Sequence, residues 1–473
     1  MRLRLKNKIF ALFTFILVLY SSTVKGQKTL EIDEFLRLVG NYHPISLASE
    51  IVLQKGEATI TKARGSFDPY AKLDMNEKNF ESKEYYSLLN AGLVIPTWYG
   101  IELKTGYEAN TGEFLNAENT VPNSGIWNAG ISAPLGKGLF IDKRRATLKD
   151  AKLYSNATIN ERRIMKNDLF YKATTEYWEW VNLWNQQKSL EEMVTVAQIR
   201  FNAVTSSFLL GDKPAIDTLE AKIQLQNRVA QLLQVNQLYK NQTLELSTFL
   251  WYENNTPLEI TDSLTPPLFS TISAPFNHSN DSLLPILNNL NSAHPELLVN
   301  QIDIQRLELE KRLKIESLKP NIRVQYNILN EPLGNDVLAN VSPNNYKWGL
   351  SISTPIFLRK ERGDLRLTNL KLNESELKLE LKRVQVQNKV IQYYNEIEFL
   401  KDQVALMENV VSNYILLLDG EREKFNFGSS SLFLINSREK SLIESQLKLM
   451  TLKTKHQKAY YAYKWARGSN GLN

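Results

Sequence analysis

The chain runs one course twice, and any fold proposed for it must accommodate that. "NYHPISLASE" (41–50) and "SAHPELLVNQ" (292–301) each set His-Pro ahead of an apolar-polar run, and a second proline stands 25 residues on: Pro44 to Pro69, Pro295 to Pro320. "WNAGISAP" (127–134) and "WGLSISTP" (348–355) then share Trp and Ile-Ser-x-Pro, with Trp and Pro seven apart in both. Later, "SFLLGDKPAIDTLEA" (207–221) and "KFNFGSSSLFLINSRE" (424–439) each place a Phe three residues before a Gly. Pro134 to Gly211 is 77 residues and Pro355 to Gly428 is 73. Four markers in one order at near-equal spacing indicate a tandem duplication. The copies differ mainly between the second proline and the Trp, 58 residues in the first and 28 in the second, so the first carries an insertion of 30, at about 83–120.

Two periods alternate within each copy. Ile322, Val324, Tyr326 and Ile328 stand between Asn321, Arg323, Gln325 and Asn327, and Trp348, Leu350 and Ile352 between Gly349, Ser351 and Ser353. In the first copy Ala71, Leu73 and Met75 alternate with polar residues, as do Trp127, Ala129, Ile131 and Ala133. A period of two means strands with one apolar and one polar face, in a soluble sheet or in a membrane. The insertion holds two further alternating runs, Leu89-Ala91-Leu93-Ile95 and Ile101-Leu103-Thr105-Tyr107, around "PTWYG". They form either a hairpin outside the membrane, which is the expectation, or strands that enlarge a membrane barrel.

After the second strand the period lengthens. Val386, Val390, Tyr393, Ile397, Leu400, Val404, Met407, Val411, Tyr414 and Leu418 keep a 3–4 spacing, as do Phe170, Ala173, Tyr177, Trp180 and Trp184 in the first copy. That is a heptad seam, which must lie against other helices. An unbroken helix from about 364 to 426 would be roughly 95 Å long. Gly428 and three serines then break it, and a second amphipathic run returns through Leu432, Ile435, Leu442, Leu447 and Leu449. Each copy reads as helix, strand, strand, long helix, tight turn, returning helix. The first structural repeat is placed at 27–251 and the second at 282–468. The Pro-rich, polar segment 252–281 is a linker hugging a surface, and 469–473 a disordered tail.

The beginning reads as a secretory signal, residues 1–26. Arg2, Arg4, Lys6 and Lys8 precede an apolar run from Ile9 to about Tyr20, and Val24 and Gly26 hold the −3 and −1 places for cleavage before Gln27. The chain has 57 basic and 51 acidic residues; without the five basic residues of the signal it is nearly neutral. Charge therefore gives no argument for nucleic acid. There is no cysteine, so stability must come from packing and association.

Geometry restricts function further. Two strands per copy give four in the chain, and four strands in a bilayer would leave two open edges whose unpaired backbone groups hydrocarbon does not tolerate. About eight strands are the least that close a barrel. If these strands cross a membrane, several chains must share one barrel.

The order of elements, with "HPELLVNQIDIQRLELEKRLKIESLKPNIRVQYNI" leading helix into strand and "LLGDKPAIDTLEA" and "GSSSLFLINSREKSLIESQ" as two hairpin tips, resembles the TolC family of outer-membrane efflux and secretion channels, over roughly Leu30 to Arg467. The resemblance implies a mainly α fold with a membrane β-barrel part, built from tandem helix-strand-strand-long helix-turn-helix units. It implies a homotrimer in the outer membrane of a Gram-negative bacterium, with most of the chain in the periplasm. Three chains would give a trimeric α/β barrel of twelve strands continued by a helical tunnel. The membrane-facing residues would be Trp127, Ile131, Ile322, Val324, Tyr326, Trp348, Leu350 and Ile352. The tips, with Gly211, Asp212, Asp217, Gly428, Ser429, Ser430 and Ser431, would dock on a periplasmic adaptor protein and an inner-membrane RND or ABC pump, in tripartite efflux or type I secretion. Conduction would be passive, in contact with outer-membrane lipid, without cofactor and without nucleic acid. Members that gate with acidic rings put Asp six and nine residues after the second tip glycine; here those places are Leu434 and Ser437. Asp217 matches an Asp that can link neighbouring tips, but its partner positions hold Phe425 and Ser430. Closure would then rest on packing.

Chemistry typical of enzymes is missing. The four histidines, His43, His278, His294 and His456, have no metal-ligand spacing, and His43 and His294 read as helix entries before proline. "GLFIDKR" is no phosphate loop and "GSSS" has no nucleophile-elbow context. "AYYAYKWARG" mixes aromatics and bases as single-strand binders do, yet suits a helix end against headgroups or neighbouring helices. The alternative to a channel is a periplasmic coiled-coil adaptor or envelope scaffold, which would be expected to carry one helical hairpin where this chain has two.

Overall fold

The computed structural model describes residues 28–261, 263–270, 283–332 and 341–469. The expected signal, the tail beyond 469 and residues 271–281 of the linker lie outside the described residues. The His-Pro pairs are helix breaks. Helix α1 (Ile32–Tyr42) ends at His43, whose ψ of 134° is extended, and α2 (Pro44–Arg64) begins at the proline. His43 Nδ1 accepts the Ile45 N–H at 3.1 Å. The second copy repeats this with α5 (Leu283–Ala293), His294 at ψ 121° and α6 (Pro295–Ser317). Proline has no N–H to give the preceding turn and holds its predecessor out of the helical region, so each helix restarts there. The helices α1 and α5 ahead of the breaks were not expected.

Six strands follow: β1 (Tyr70–Phe80), β2 (Lys83–Pro96), β3 (Glu102–Thr111), β4 (Ile126–Pro134), β5 (Asn321–Asn330) and β6 (Tyr346–Ser353). Among the described residues the largest sheet has all six, antiparallel, in the order β6-β5-β4-β3-β2-β1. This corrects the expected count of four. The insertion at 83–120 supplies β2 and β3, which lie between β1 and β4 in one curled sheet. Its runs alternate with the same period as their neighbours, so they pair with them. The turn between β2 and β3 closes through Thr97 N–H to Ile101 O at 2.9 Å, with Gly100 at φ +83°.

The long helices are α3 (Lys143–Leu209, 67 residues) and α7 (Arg359–Asn426, 68 residues), each followed after a short turn by a returning helix, α4 (Ala215–Ser247) and α8 (Leu432–Ala466). Both are single unbroken helices. No described helix is long and apolar enough to cross a membrane.

By contacts the described residues fall into two compact units, and both units draw on both copies. One comprises the described parts of Met1–Leu47, Lys166–Ser282 and Lys389–Asn473; the other those of Ala48–Met165 and Leu283–Asn388. The first unit centres on Phe35, Val39, Leu169, Phe170, Ala173, Tyr177, Trp178, Trp180, Val181, Leu246 and Leu250. The helical seam is what buries here: Phe170, Ala173, Tyr177, Trp180, Val390, Ile397 and Leu400 are all buried. The Tyr177 hydroxyl donates to Leu30 O at 2.8 Å, and burial pushes its phenol pKa up. Linker residues Leu258, Ile260, Leu264 and Phe269 pack on this core, and Lys28–Thr29 pairs in parallel with Leu264–Thr265. In "AYYAYKWARG" the Trp465 ring stacks on Tyr171 at 4.7 Å and its Nε1 donates to Asp168 at 2.6 Å, so that stretch lies against neighbouring helices. The second unit holds the sheet and two smaller clusters, Ala63-Phe67-Leu148-Ala151 and Ile141-Ala146-Leu309.

Candidate functional site: a two-faced sheet and two helical turns

In the second unit, register decides which side chains share a face. Ile352 pairs with Ile322, Leu350 with Val324 and Trp348 with Tyr326. Tyr326 pairs with Ile131 and Val324 with Ala133. Ile131 pairs with Leu103 and Trp127 with Tyr107. Leu103 pairs with Ile95 and Thr105 with Leu93. Leu93 then pairs with Ala71 and Ala91 with Leu73. Directly paired residues lie on one face of a sheet, so all eight residues expected to face a membrane stand on a single apolar face that continues across β3, β2 and β1. That face is open: Leu93 is 37% exposed, Leu103 43%, Ile131 48%, Tyr326 40% and Leu350 51%. Aromatic residues mark it, Tyr107 with Trp127 at 5.1 Å and Tyr326 with Tyr346 at 5.8 Å.

The other face is mostly polar: Lys72, Asp74, Asn90, Glu102, Lys104, Glu108, Asn128, Ser132, Arg323, Gln325, Asn327, Lys347 and Ser351. Arg323 Nη1 donates to Glu102 Oε2 at 3.4 Å and Ser132 Oγ at 3.3 Å, and Arg144 reaches the same carboxylate at 3.0 Å. Gly92, Gly106 and Gly130 also lie on this side. A Cβ on Gly130 would come within 2.1 Å of Tyr326 O, so here the curled strands approach too closely for any side chain. Among the described residues the edges β6 and β1 each have one side unpaired.

In the first unit, the two turns are built alike. Residues 210–214 join α3 to α4 and residues 427–431 join α7 to α8. Gly211 (φ +82°) donates to Phe208 O at 3.0 Å and Asp212 to Ser207 O at 2.9 Å; Gly428 (φ +74°) donates to Phe425 O and Ser429 to Lys424 O, both at 2.9 Å. This pair of 5→2 and 6→1 bonds is the Schellman motif, and its left-handed residue favours glycine. Ser431 caps α8, its Oγ accepting the Leu434 N–H at 3.3 Å. Ser430 donates to Glu421 Oε1 at 2.5 Å, and the Lys213 ammonium sits 4.7 Å over the Phe425 ring. Asp217 stands in the first turn of α4. The residues just before the two glycines are exposed and apolar, Leu210 at 78% and Phe427 at 85%.

Behind the turns lies a polar lattice that the sequence did not announce. Arg200 of α3 forks onto Glu439 of α8 at 2.5 and 2.8 Å and reaches Asn436 Oδ1 at 3.1 Å. The Asn436 amide donates to Glu220 of α4 at 2.9 Å. Arg438 lies 3.6 Å from Glu421. Arg200 and Glu439 are 239 residues apart, and no spacing rule links such positions.

No family model matches the chain, and no curated protein matches it by sequence. Solved structures do match in fold. The outer membrane protein VceC of Vibrio cholerae is 14% identical with a TM-score of 0.66, covering 93% of this chain and 97% of its own. The open state of the Neisseria gonorrhoeae MtrE outer membrane channel is 12% identical with a TM-score of 0.69, covering 93% and 89%. CusC, described in terms of folding and transmembrane channel formation, is 14% identical with a TM-score of 0.66, covering 93% and 92%. With its duplicated order of elements, its curled sheet and these likenesses along nearly the whole chain, this protein has the fold of the TolC-family outer-membrane channels.

Proposed function

We propose that the chain is the outer-membrane channel of an export system, working as a homotrimer and conducting passively. The observation that carries this reading is the sheet: a continuous exposed apolar face backed by a polar one, with two edges that no other described strand covers. In water such a face is a liability. Against acyl chains it is what a barrel wall requires, and strands of 8–14 residues suit a bilayer crossed at a tilt. The polar face would then line water, so solutes pass without chemistry and the energy comes from a pump.

Association is supported by apolar stripes left uncovered at helical spacing. Leu377, Leu381 and Val384 on α7 are exposed, as are Ile216, Leu219 and Ile223 on α4. A helix lying alone in water does not keep such stripes; a second copy covers them. The matched turns, with Leu210 and Phe427 outermost before their glycines, suit docking to a periplasmic adaptor that couples the channel to an inner-membrane RND or ABC pump, in tripartite efflux or type I secretion. The adaptor or scaffold alternative has no observation in its favour, because it would leave the apolar sheet face in water.

The test is fractionation and conductance. The protein should sediment with outer membranes, run on unheated gels as an oligomer that heating collapses, and raise the conductance of a planar lipid bilayer. A soluble species the size of one chain, with no conductance, would end this reading.

A further inference from the structure

We infer that the barrel wall has six strands from each copy, eighteen in the trimer, in place of the twelve that the family resemblance implies. The inference rests on the channel reading above and concerns the insertion at 83–120.

Three observations carry it. The first is pairing. Among the described residues β1 has β2 as its only partner, and β4 has β3 as its partner on the side away from β5. Lifting β2 and β3 out of the bilayer would strip both neighbours of backbone partners, which hydrocarbon does not permit. The second is the continuity of the apolar face. Leu93 and Leu103 of the insertion are as exposed as Ile131 and Tyr326 of the flanking strands, and are joined to them by direct register through Thr105 and Ile131. A hairpin standing in water has no reason to keep that alternation in phase with a membrane face. The third is on the polar side. Glu102 of β3 receives Arg323 of β5, a charge pair reaching past β4 and its Ser132. Strand β3 is therefore tied into the wall from both faces.

The consequence is a wider pore through the outer membrane. Barrel diameter grows roughly in proportion to strand number; at strands about 4.8 Å apart tilted near 40°, twelve give about 24 Å between backbones and eighteen about 36 Å. The outer-membrane section would then pass cargo half again as broad, and selection by size would sit elsewhere along the channel.

The full-length protein carrying Leu93→Arg or Leu103→Arg should be compared with Leu350→Arg on β6, reading the heat-modifiable oligomer in outer membranes. All three should lose it at least tenfold, while Asn90→Arg, on the polar face of β2, should keep it. Normal assembly of the Leu93 and Leu103 variants beside loss in the Leu350 variant would overturn the eighteen-stranded wall and leave the channel reading intact. Normal assembly of all three would sink the channel reading itself. Should Asn90→Arg also fail, the strand count in a cryo-EM map of the wild-type protein in lipid nanodiscs decides: eighteen is expected, and twelve refutes the inference.

Discussion

Glu316 shows how one side chain holds the end of the sheet to its helices. It is nearly buried at the end of α6, and its Oε1 accepts the N–H groups of Gly138 and Phe140 at 3.2 and 3.3 Å, while Lys319 lies 2.7 Å from Oε2. Burial alone would raise its pKa; the hydrogen bond and charge of Lys319 and the two backbone donors outweigh it and hold the carboxyl below its ordinary value. A group depressed in the folded state contributes stability above its unfolded pKa, about 4.3, and loses it as pH falls through the folded value. Protection of the Gly138 and Phe140 amides, measured against their intrinsic exchange rates, should therefore fall on acidification below about pH 4. In Glu316→Gln the same amides should be less protected already at neutral pH, with little further loss of protection in acid. Equal pH response in both proteins would remove Glu316 from this role.

At the scale of elements, what matters about each strand is its two faces. Val324→Arg or Tyr326→Arg on β5 puts a cation where acyl chains should lie, at a cost of about 2–4 kcal/mol near mid-bilayer. Gln325→Lys, one residue along and on the polar side, should be tolerated. Gel analysis of oligomer in outer membranes distinguishes them; equal tolerance would mean the apolar face does not meet lipid. The helices carry a parallel requirement. Leu377 and Leu381 lie one turn apart on α7 and both are exposed. The double change Leu377→Glu, Leu381→Glu should shift the detergent-solubilised protein from oligomer toward single chains, as measured by light scattering after size exclusion. An unchanged mass would show that this stripe is covered by something other than a second copy.

At the scale of the whole molecule, the turns and the sheet belong to different units and should fail separately. Replacing Gly428 and Ser429–Ser431 together by alanine removes the left-handed position, the bond to Glu421 and the α8 cap. No atom lies within 4 Å of a Cβ built on Gly428, so at that residue the cost is conformational, roughly 1 kcal/mol, with about 1 more for the cap. Export dependent on the pump should fall while the heat-modifiable oligomer persists. Loss of both together would mean the turn is needed for assembly and not for docking.

Much of this was legible in the residues. The duplicated markers, the period-two strands around Ile322–Ile328 and Trp348–Ile352, and the seam from Val386 to Leu418 are local periodicities, and local periodicity reports which face of an element is apolar. The glycines at 211 and 428 likewise marked both turns, because φ is a property of one residue and its neighbours. Pairing is not of that kind. The runs at 89–95 and 101–107 alternate just as strands of a separate hairpin would, and only register against Ala71, Leu73 and Ile131 shows that they join the same sheet. Arg200 with Glu439 and Arg323 with Glu102 are likewise contacts over hundreds of residues, set by which helices and strands become neighbours. The elements, their faces and their repetition are written in the residues; how many strands join one sheet is settled by the folded chain, because partner choice is a long-range property that alternation along one segment does not encode.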